Sequence, residues 1–306
     1  MAKFIIAVDL GGTNLKIGLI DSKYRIIDKQ VISTPSLLSR EKLIDTISDS
    51  IKSILKNNNL TKKQLLGIGL GVPGPVDARQ GVVHFFPNIP GWKRVRLRSI
   101  LKNKLGLAAY VDNDAKLMCL AEYKIGAAKN TRNAVCITLG TGVGGGIIIE
   151  GQLYRGFNNS AGEIGHIPIN EHGPVCNCGG MACLESYVGN AKILSQAGAI
   201  FGKGISLEKL SILSKDGNKM AQGIWKKAGL RLGVALSGVV NLLNPDCIVV
   251  GGGVAAAGKI LFDSIRKAII NRAMGPQAKH VKVLKAALGN DAGLIGAAIL
   301  VKEGAE

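Results

Sequence analysis

The chain has 306 residues, 47% of them hydrophobic and 20% charged, with 41 glycines and a net charge of +18. That composition fills a core and excludes disordered and fibrous classes. No apolar run approaches the roughly 18 residues of a membrane helix, and Asp9 ends the apolar opening too soon for a secretory signal, so a cytoplasmic protein without a membrane partner is expected.

Taken in order, Phe4–Val8 and Leu15–Asp21 read as strands around the turn Asp9-Leu10-Gly11-Gly12-Thr13-Asn14, with a further strand over 24–32. Leu43, Ile44, Ile47, Ile51, Ile54 and Leu55 share one face of a helix over 41–56. A short buried strand over 65–70 stops at Gly71-Val72-Pro73-Gly74-Pro75. A strand over 108–111 then leads into Asp112-Asn113-Asp114, which opens a helix to about Gly126.

The opening pattern recurs as a strand over 134–137, a Gly/Thr-rich turn over 138–146 and a strand over 147–150. A shift of 129 positions lays Asp9-Leu10-Gly11 on Thr138-Leu139-Gly140, which predicts two similar lobes, each opening on a β-hairpin. Helices follow over about 185–198, 206–214, 218–242 and 258–272, with strands over 247–250 and 281–286 and a last apolar helix over 293–302. The first lobe is expected over 1–114, with the helix at about 291–306 packing back on it, and the second over 115–290.

Lys93, Arg94, Arg96, Arg98, Lys102 and Lys104 fall within twelve residues without an acid among them. Only Trp92 is near to interleave, so the run reads as a solvated or anion-steering face and no nucleic-acid partner is expected. Cys119, Cys136 and Cys247 stand apart, whereas Cys176, Cys178 and Cys183 cluster. Spacing of that kind fits reduced thiols and a metal site rather than a disulfide framework.

Glycine-rich hairpin turns let backbone N–H groups approach phosphate oxygens, and Gly11, Gly12, Thr13 and Asn14 form one such turn while Gly140, Thr141, Gly142 and Gly144 belong to the other. Asp9 is placed to hold hydrated Mg²⁺ and Lys16 to neutralise phosphate charge. No G-x-x-x-x-G-K-[ST] occurs, which excludes a P-loop. Gly69-Leu70-Gly71-Val72-Pro73-Gly74 mimics a dinucleotide fingerprint but reads as a turn. Gly251-Gly252-Gly253 follows a strand and precedes a helix, so Gly252 and Gly253 read as nucleotide contacts at a helix N-terminus. Asp112-Asn113-Asp114 serves either as a helix cap or as carboxylates at a strand's C-terminal end, where open α/β sheets place ligand groups. His166, Cys176, Cys178 and Cys183 make a four-ligand set for structural Zn²⁺, with His172 a competing ligand.

These residues carry a resemblance. Asp9-Leu10-Gly11-Gly12-Thr13, Asn88-Ile89-Pro90-Gly91-Trp92, Asn113-Asp114-Ala115 and Gly140–Gly146 occur in the order seen in the ROK family (repressors, open reading frames, kinases). So do Ala161-Gly162-Glu163-Ile164-Gly165-His166 and Cys176-x-Cys178-Gly179-x-x-x-Cys183-Leu184-Glu185. The match runs from residue 4 to about 253 and resembles the zinc-containing, glucokinase-like branch. It implies a two-lobed α/β fold of the actin and hexokinase type (ribonuclease H-like) around a cleft, an ATP-dependent hexose kinase activity, glucose as the preferred sugar, and a homodimer or homotetramer. It also implies that Asp114 is the general base, that Asn113, Glu163, His166, Glu185 and Asn88 bind the sugar, and that the two turns hold the phosphates. Fructose, mannose or N-acetylmannosamine as substrate, polyphosphate as donor, and a sugar-responsive regulator are the alternatives. With the first turn at Asp9, no preceding DNA-binding domain is expected. The family has Gly where this chain has Ala182, a position that would strain Ala if it needs a positive φ. Loss of the metal is expected to cost sugar affinity and leave the phosphate turns intact.

Overall fold

A computed structural model of the protein describes residues 4–34, 39–86 and 92–305. In chain order the elements are β1 (Phe4–Leu10), β2 (Asn14–Asp21), β3 (Ile26–Ser33), α1 (Arg40–Asn57), β4 (Leu65–Val72), β5 (Val76–Asp77), β6 (Val82–Phe85), β7 (Lys93–Val95), α2 (Leu97–Leu105), β8 (Ala109–Asn113) and α3 (Asp114–Lys124). Next come β9 (Ala134–Leu139), β10 (Val143–Ile149), β11 (Gln152–Leu153), α4 (Glu185–Val188), α5 (Asn190–Phe201), α6 (Leu207–Lys215), α7 (Lys219–Leu243), β12 (Cys247–Gly252), α8 (Lys259–Arg272), α9 (Gly275–His280), β13 (Lys282–Lys285) and α10 (Ala292–Ala305). Among the described residues no helix is long and apolar enough to cross a membrane.

The chain divides into two compact units: residues 1–121, 155–161 and 290–306 form unit 1, and residues 122–154 and 162–289 form unit 2. The division falls within α3 rather than at Asp114. It returns 155–161 to unit 1 because Arg155 pairs with Asp112 and the Lys116 ammonium donates to the Asn159 carbonyl.

Unit 1 holds a five-stranded sheet in the order β3-β2-β1-β4-β8. The hairpin β1–β2 and its neighbour β3 are antiparallel, whereas β1, β4 and β8 run parallel. One apolar face of α1 (Leu43, Ile47, Ile51, Ile54) joins Ile6, Val8, Ile17 and Leu70 in its core. The Ser39 hydroxyl caps α1 by accepting from the Lys42 N–H. A small sheet, β5-β6-β7, belongs to the same unit.

The C-terminal helix α10 packs on β1, β4 and β8. Its closeness explains the false dinucleotide fingerprint. That stretch is not a turn; β4 runs on to Val72. A Cβ on Gly69 would lie 2.0 Å from the Ala297 carbonyl oxygen, so a side chain there would push the helix off the sheet.

Unit 2 repeats the topology with its own strands, β11-β10-β9-β12-β13, a hairpin with an antiparallel extension and two parallel additions. Its core gathers Ile137, Leu139, Ile248, Val250, Trp225, Leu232, Leu236 and Leu261 from the sheet, α7 and α8. The hairpins differ at their tips. Leu10 pairs with Leu15, enclosing residues 11–14, whereas Leu139 pairs with Val143, enclosing only 140–142. Gly144, read from sequence as part of the turn, is instead a strand residue opposite Thr138. The helix expected over 185–198 is broken at Gly189, whose extended ψ of 150° separates α4 from α5.

Candidate active site

In unit 1, parallel pairing sets Asp9 beside Gly71 and Gly71 beside Asp112, so Asp9 and the Asp112-Asn113-Asp114 segment share the C-terminal edge of one sheet. Open α/β sheets bind ligands along that edge. Asp9 is largely buried, and the loss of water raises its carboxyl pKa more than Lys16 lowers it; Asp291 adds to the rise. The Lys16 ammonium reaches Asp9 Oδ2 at 3.1 Å and the Asn290 carbonyl at 2.6 Å. The turn itself is pinned from behind: the Thr34 hydroxyl donates to the Gly11 carbonyl at 2.8 Å and the Thr34 N–H to the Thr13 carbonyl at 2.9 Å. Gly12, Thr13 and Asn14 stay exposed.

The segment leading to α3 is held more firmly. Asp112 is fully buried. Its Oδ2 accepts from Arg155 Nε at 3.0 Å and from a terminal nitrogen of the same guanidinium at 2.8 Å, and its Oδ1 accepts from the Asn113 N–H at 2.8 Å. Asn113 caps the helix: its Oδ1 accepts from the Ala115 and Lys116 N–H groups, and its Nδ2 donates to the Gly74 carbonyl at 3.2 Å. Asp114 takes the first position of α3 and accepts from the Ala115 N–H through Oδ1 at 2.8 Å. Capping therefore falls mainly to Asn113. Arg155, which sequence reading passed over, is the partner that compensates the buried charge of Asp112. Asn88 lies outside the described residues.

In unit 2 the cysteine cluster is assembled by the chain's own backbone. The Cys176 N–H donates to the Gly180 carbonyl and the Gly179 N–H to the Cys176 carbonyl, a tight knuckle that brings Cys176 and Cys178 together. Pro168 bridges to Cys183, and the Leu184 N–H donates to the Ile167 carbonyl, which ties both ends of the loop. One ligand atom from each of His166, Cys176, Cys178 and Cys183 lies within 4.8 Å of the others. Three thiols and an imidazole at such separations are the donor set of a closed tetrahedral zinc site, so the residues fit the ion. His172 is not in the group. His166 Nδ1 faces Cys176 Sγ at 3.8 Å, while Nε2 lies 4.0 Å from Glu163 Oε2.

The cluster's thiols differ. Burial opposes ionisation of Cys176, but donors from the Cys178 backbone, Ser186, Cys178 and His166 outweigh it and bring the thiol down to about 7. Cys183 is pushed up to about 12, first by burial and then by the neighbouring Cys178 and Cys176.

Ala182 is fully buried with φ at +57°, so the position does require the left-handed region. Relief of that strain in Ala182→Gly, about 1–2 kcal/mol, is offset by the lost methyl burial and by chain entropy, each just under about 1 kcal/mol. The expected change in thermal unfolding is accordingly small. Ala182→Val adds branching and volume at the same φ and is expected to cost about 2–4 kcal/mol and to lower metal retention under chelation. Equal melting temperatures for the two variants would contradict this.

The second turn meets α4. Glu185 Oε2 accepts from the Val143 N–H at 2.7 Å, and the Asn190 N–H donates to the Gly140 carbonyl at 3.0 Å across the break at Gly189. Gly252 and Gly253 depart from the sequence reading. Gly252 ends β12 opposite Leu139, and a five-residue 3₁₀ turn, Gly253–Ala257, precedes α8, so neither glycine opens an α-helix. The register of β9 and β12 nonetheless places Gly253 and Gly140 at one sheet edge.

The ROK family model matches residues 5–304. The chain is 36% identical to the glucokinase of Halalkalibacterium halodurans, over 98% of this chain and 96% of that protein. A ROK family glucokinase from Streptomyces griseus, solved in complex with glucose and AMPPNP, superposes with a TM-score of 0.84 at 32% identity, over 98% of this chain and 100% of that one. A ROK family transcriptional regulator, homologous to the E. coli MLC protein, superposes with a TM-score of 0.90 at 26% identity, over 99% of this chain and 78% of the regulator. With the family model spanning both units and their repeated sheets, the chain belongs to the ROK family.

Proposed function

We propose that the protein is an ATP-dependent hexose kinase of the glucokinase type, which transfers the γ-phosphoryl group of Mg·ATP to the 6-hydroxyl of glucose. The observation that carries this reading is full-length likeness to glucokinases, at 36% identity to the Halalkalibacterium halodurans protein. Phosphoryl transfer asks a protein mainly for positioning and charge neutralisation. Asp114, at the start of α3, would accept the hydroxyl proton. Asn113 holds the helix start through Oδ1 and keeps a second Nδ2 hydrogen for a sugar oxygen. The exposed turn at 11–14 and the turn at 140–142 would bind phosphate oxygens through backbone N–H groups, and Gly253 would approach the nucleotide.

Burial holds back ionisation of Asp9, and a divalent cation arriving with the nucleotide would favour its charged form. Lys16 would balance phosphate charge. In unit 2, His166, Cys176, Cys178 and Cys183 would hold a zinc ion, which when bound supplies a fixed crosslink for the loop between Glu163 and Glu185. His166 then keeps its proton on Nε2, facing Glu163, as a donor to a sugar hydroxyl, while Glu163 and Glu185 accept from hydroxyls.

A coupled assay of ADP release over glucose, mannose, fructose and N-acetylmannosamine tests the reading. Turnover is expected with glucose fastest. No hexose above background would overturn the kinase assignment, and a preference for another sugar would overturn only glucose. The same panel run with polyphosphate measures the alternative donor.

A further inference from the structure

We infer that Glu185 is a positioning residue for the nucleotide: its carboxylate fixes the shape of the Gly140-Thr141-Gly142 turn and thereby ties nucleotide affinity to the order of the cysteine loop. The inference rests on the reading of that turn as a phosphate turn. The turn cannot shape itself, because its residues are small and a Cβ on Gly140 would meet nothing within 4 Å. Its own contribution is one hydrogen bond, from the Gly140 N–H to the Gly142 carbonyl at 2.9 Å. The rest comes from α4 and the first residue of α5. At the front of that single helical turn, Glu185 Oε2 takes the Val143 N–H at 2.7 Å. Just past its end, at the first residue of α5, the Asn190 N–H donates to the Gly140 carbonyl at 3.0 Å. The start of α4 and the start of α5 therefore hold the turn at its two ends.

Space around Gly142 points the same way. A Cβ there would lie 2.5 Å from Glu185 Oε2, so the carboxylate fills the volume that a side chain of residue 142 would occupy. It buttresses the turn from that side. Satisfying the Val143 N–H leaves the remaining N–H groups of the turn as the donors for phosphate, already ordered before a ligand arrives. Glu185 also follows Cys183 and Leu184 directly, and the Leu184 N–H is bonded to the Ile167 carbonyl. Order in the cysteine loop thus fixes where α4 begins. The metal loop and the phosphate turn, read from sequence as separate, are joined by the Glu185–Val143 hydrogen bond.

The test uses the full-length protein without sugar, so that any role of Glu185 in sugar binding does not enter. Calorimetric titration with Mg·ADP is compared for wild type, Glu185→Ala and Glu185→Gln, alongside amide exchange at Val143. Glu185→Ala is expected to weaken Mg·ADP binding about 10-fold and to release the Val143 amide, because a charged acceptor is lost. Glu185→Gln keeps an acceptor oxygen and is expected to stay within about 3-fold of wild type with Val143 still protected. Glu185→Ala binding Mg·ADP within about 2-fold of wild type, with an intact melting transition, overturns the inference alone. Wild type failing to bind Mg·ADP overturns the phosphate-turn reading and the inference with it. If Glu185→Ala does not fold, Glu185→Gln with Val143 exchange as fast as in an unfolded chain overturns the proposal by itself.

Discussion

Asp114→Asn is expected to lower kcat by about 10²–10⁴-fold, the range for loss of a general base, while calorimetry still detects glucose binding. The amide keeps the shape of the carboxylate and an oxygen for the Ala115 N–H, the 2.8 Å contact seen here. Helix capping changes little, because Asn113 Oδ1 already takes the Ala115 and Lys116 N–H groups. Any stability change should stay within about 1–2 kcal/mol. A kcat within tenfold of wild type would show that another group removes the proton. Asp112→Asn is the instructive comparison, since it damages a different property. Asp112 is fully buried and pairs with Arg155, so the substitution strands a guanidinium. Breaking a buried pair costs about 3–5 kcal/mol, and the 30% exposure of the Arg155 side chain reduces that to about 2–4. A lowered melting point, with kcat per folded molecule much less affected than in Asp114→Asn, is the expected pattern.

Cys183→Ser is expected to abolish stoichiometric zinc and to weaken glucose binding by about 10²-fold or more. One thiolate of a four-ligand set is lost, and Glu163 and His166 lose the fixed loop that presents them. The two hydrogen bonds concerned, one charged and one neutral, together account for about 2.5–4 kcal/mol. Because the ligands bind the metal only after losing protons, zinc affinity of the wild type should rise with pH. Through Glu185, nucleotide affinity should fall as well, though less than sugar affinity. Elemental analysis and paired titrations measure all three, and zinc retained at one per chain by Cys183→Ser would remove Cys183 from the ligand set.

Much of this architecture is written locally in the chain. Period-two apolar runs and Gly/Thr turns mark both hairpins, and the repeat between them anticipates two sheets of one topology. Cys176, Cys178 and Cys183 are close in sequence, so the metal cluster was legible as chemistry. What escaped reading depends on distant partners. Arg155 is 43 residues from Asp112, and nothing near either residue announces the other. The bond from Val143 to Glu185 spans 42 positions and explains why Gly142 is glycine. Gly144 reads as part of the turn for a related reason: glycines crowd the returning strand as well as the turn, and only pairing with Thr138 separates them. The break at Gly189 was hidden because apolar spacing continues across it.

The seating of α10 on β4 has a consequence for biosynthesis. Every strand of the unit 1 sheet has been translated once Asn113 is made, yet the helix that covers β1, β4 and β8 begins only at Ala292. At about 5–20 residues per second, the ribosome needs roughly 10–40 s to cover that gap. All of unit 2 emerges meanwhile. The glycine-lined face of β4 therefore waits, uncovered, for the last helix to be delivered. Unit 2 has its complete sheet earlier, once Lys285 is made. The N-terminal sheet is thus first to be synthesised and last to be finished, and a chain released before Ala292 would carry a native unit 2 beside an open, aggregation-prone sheet.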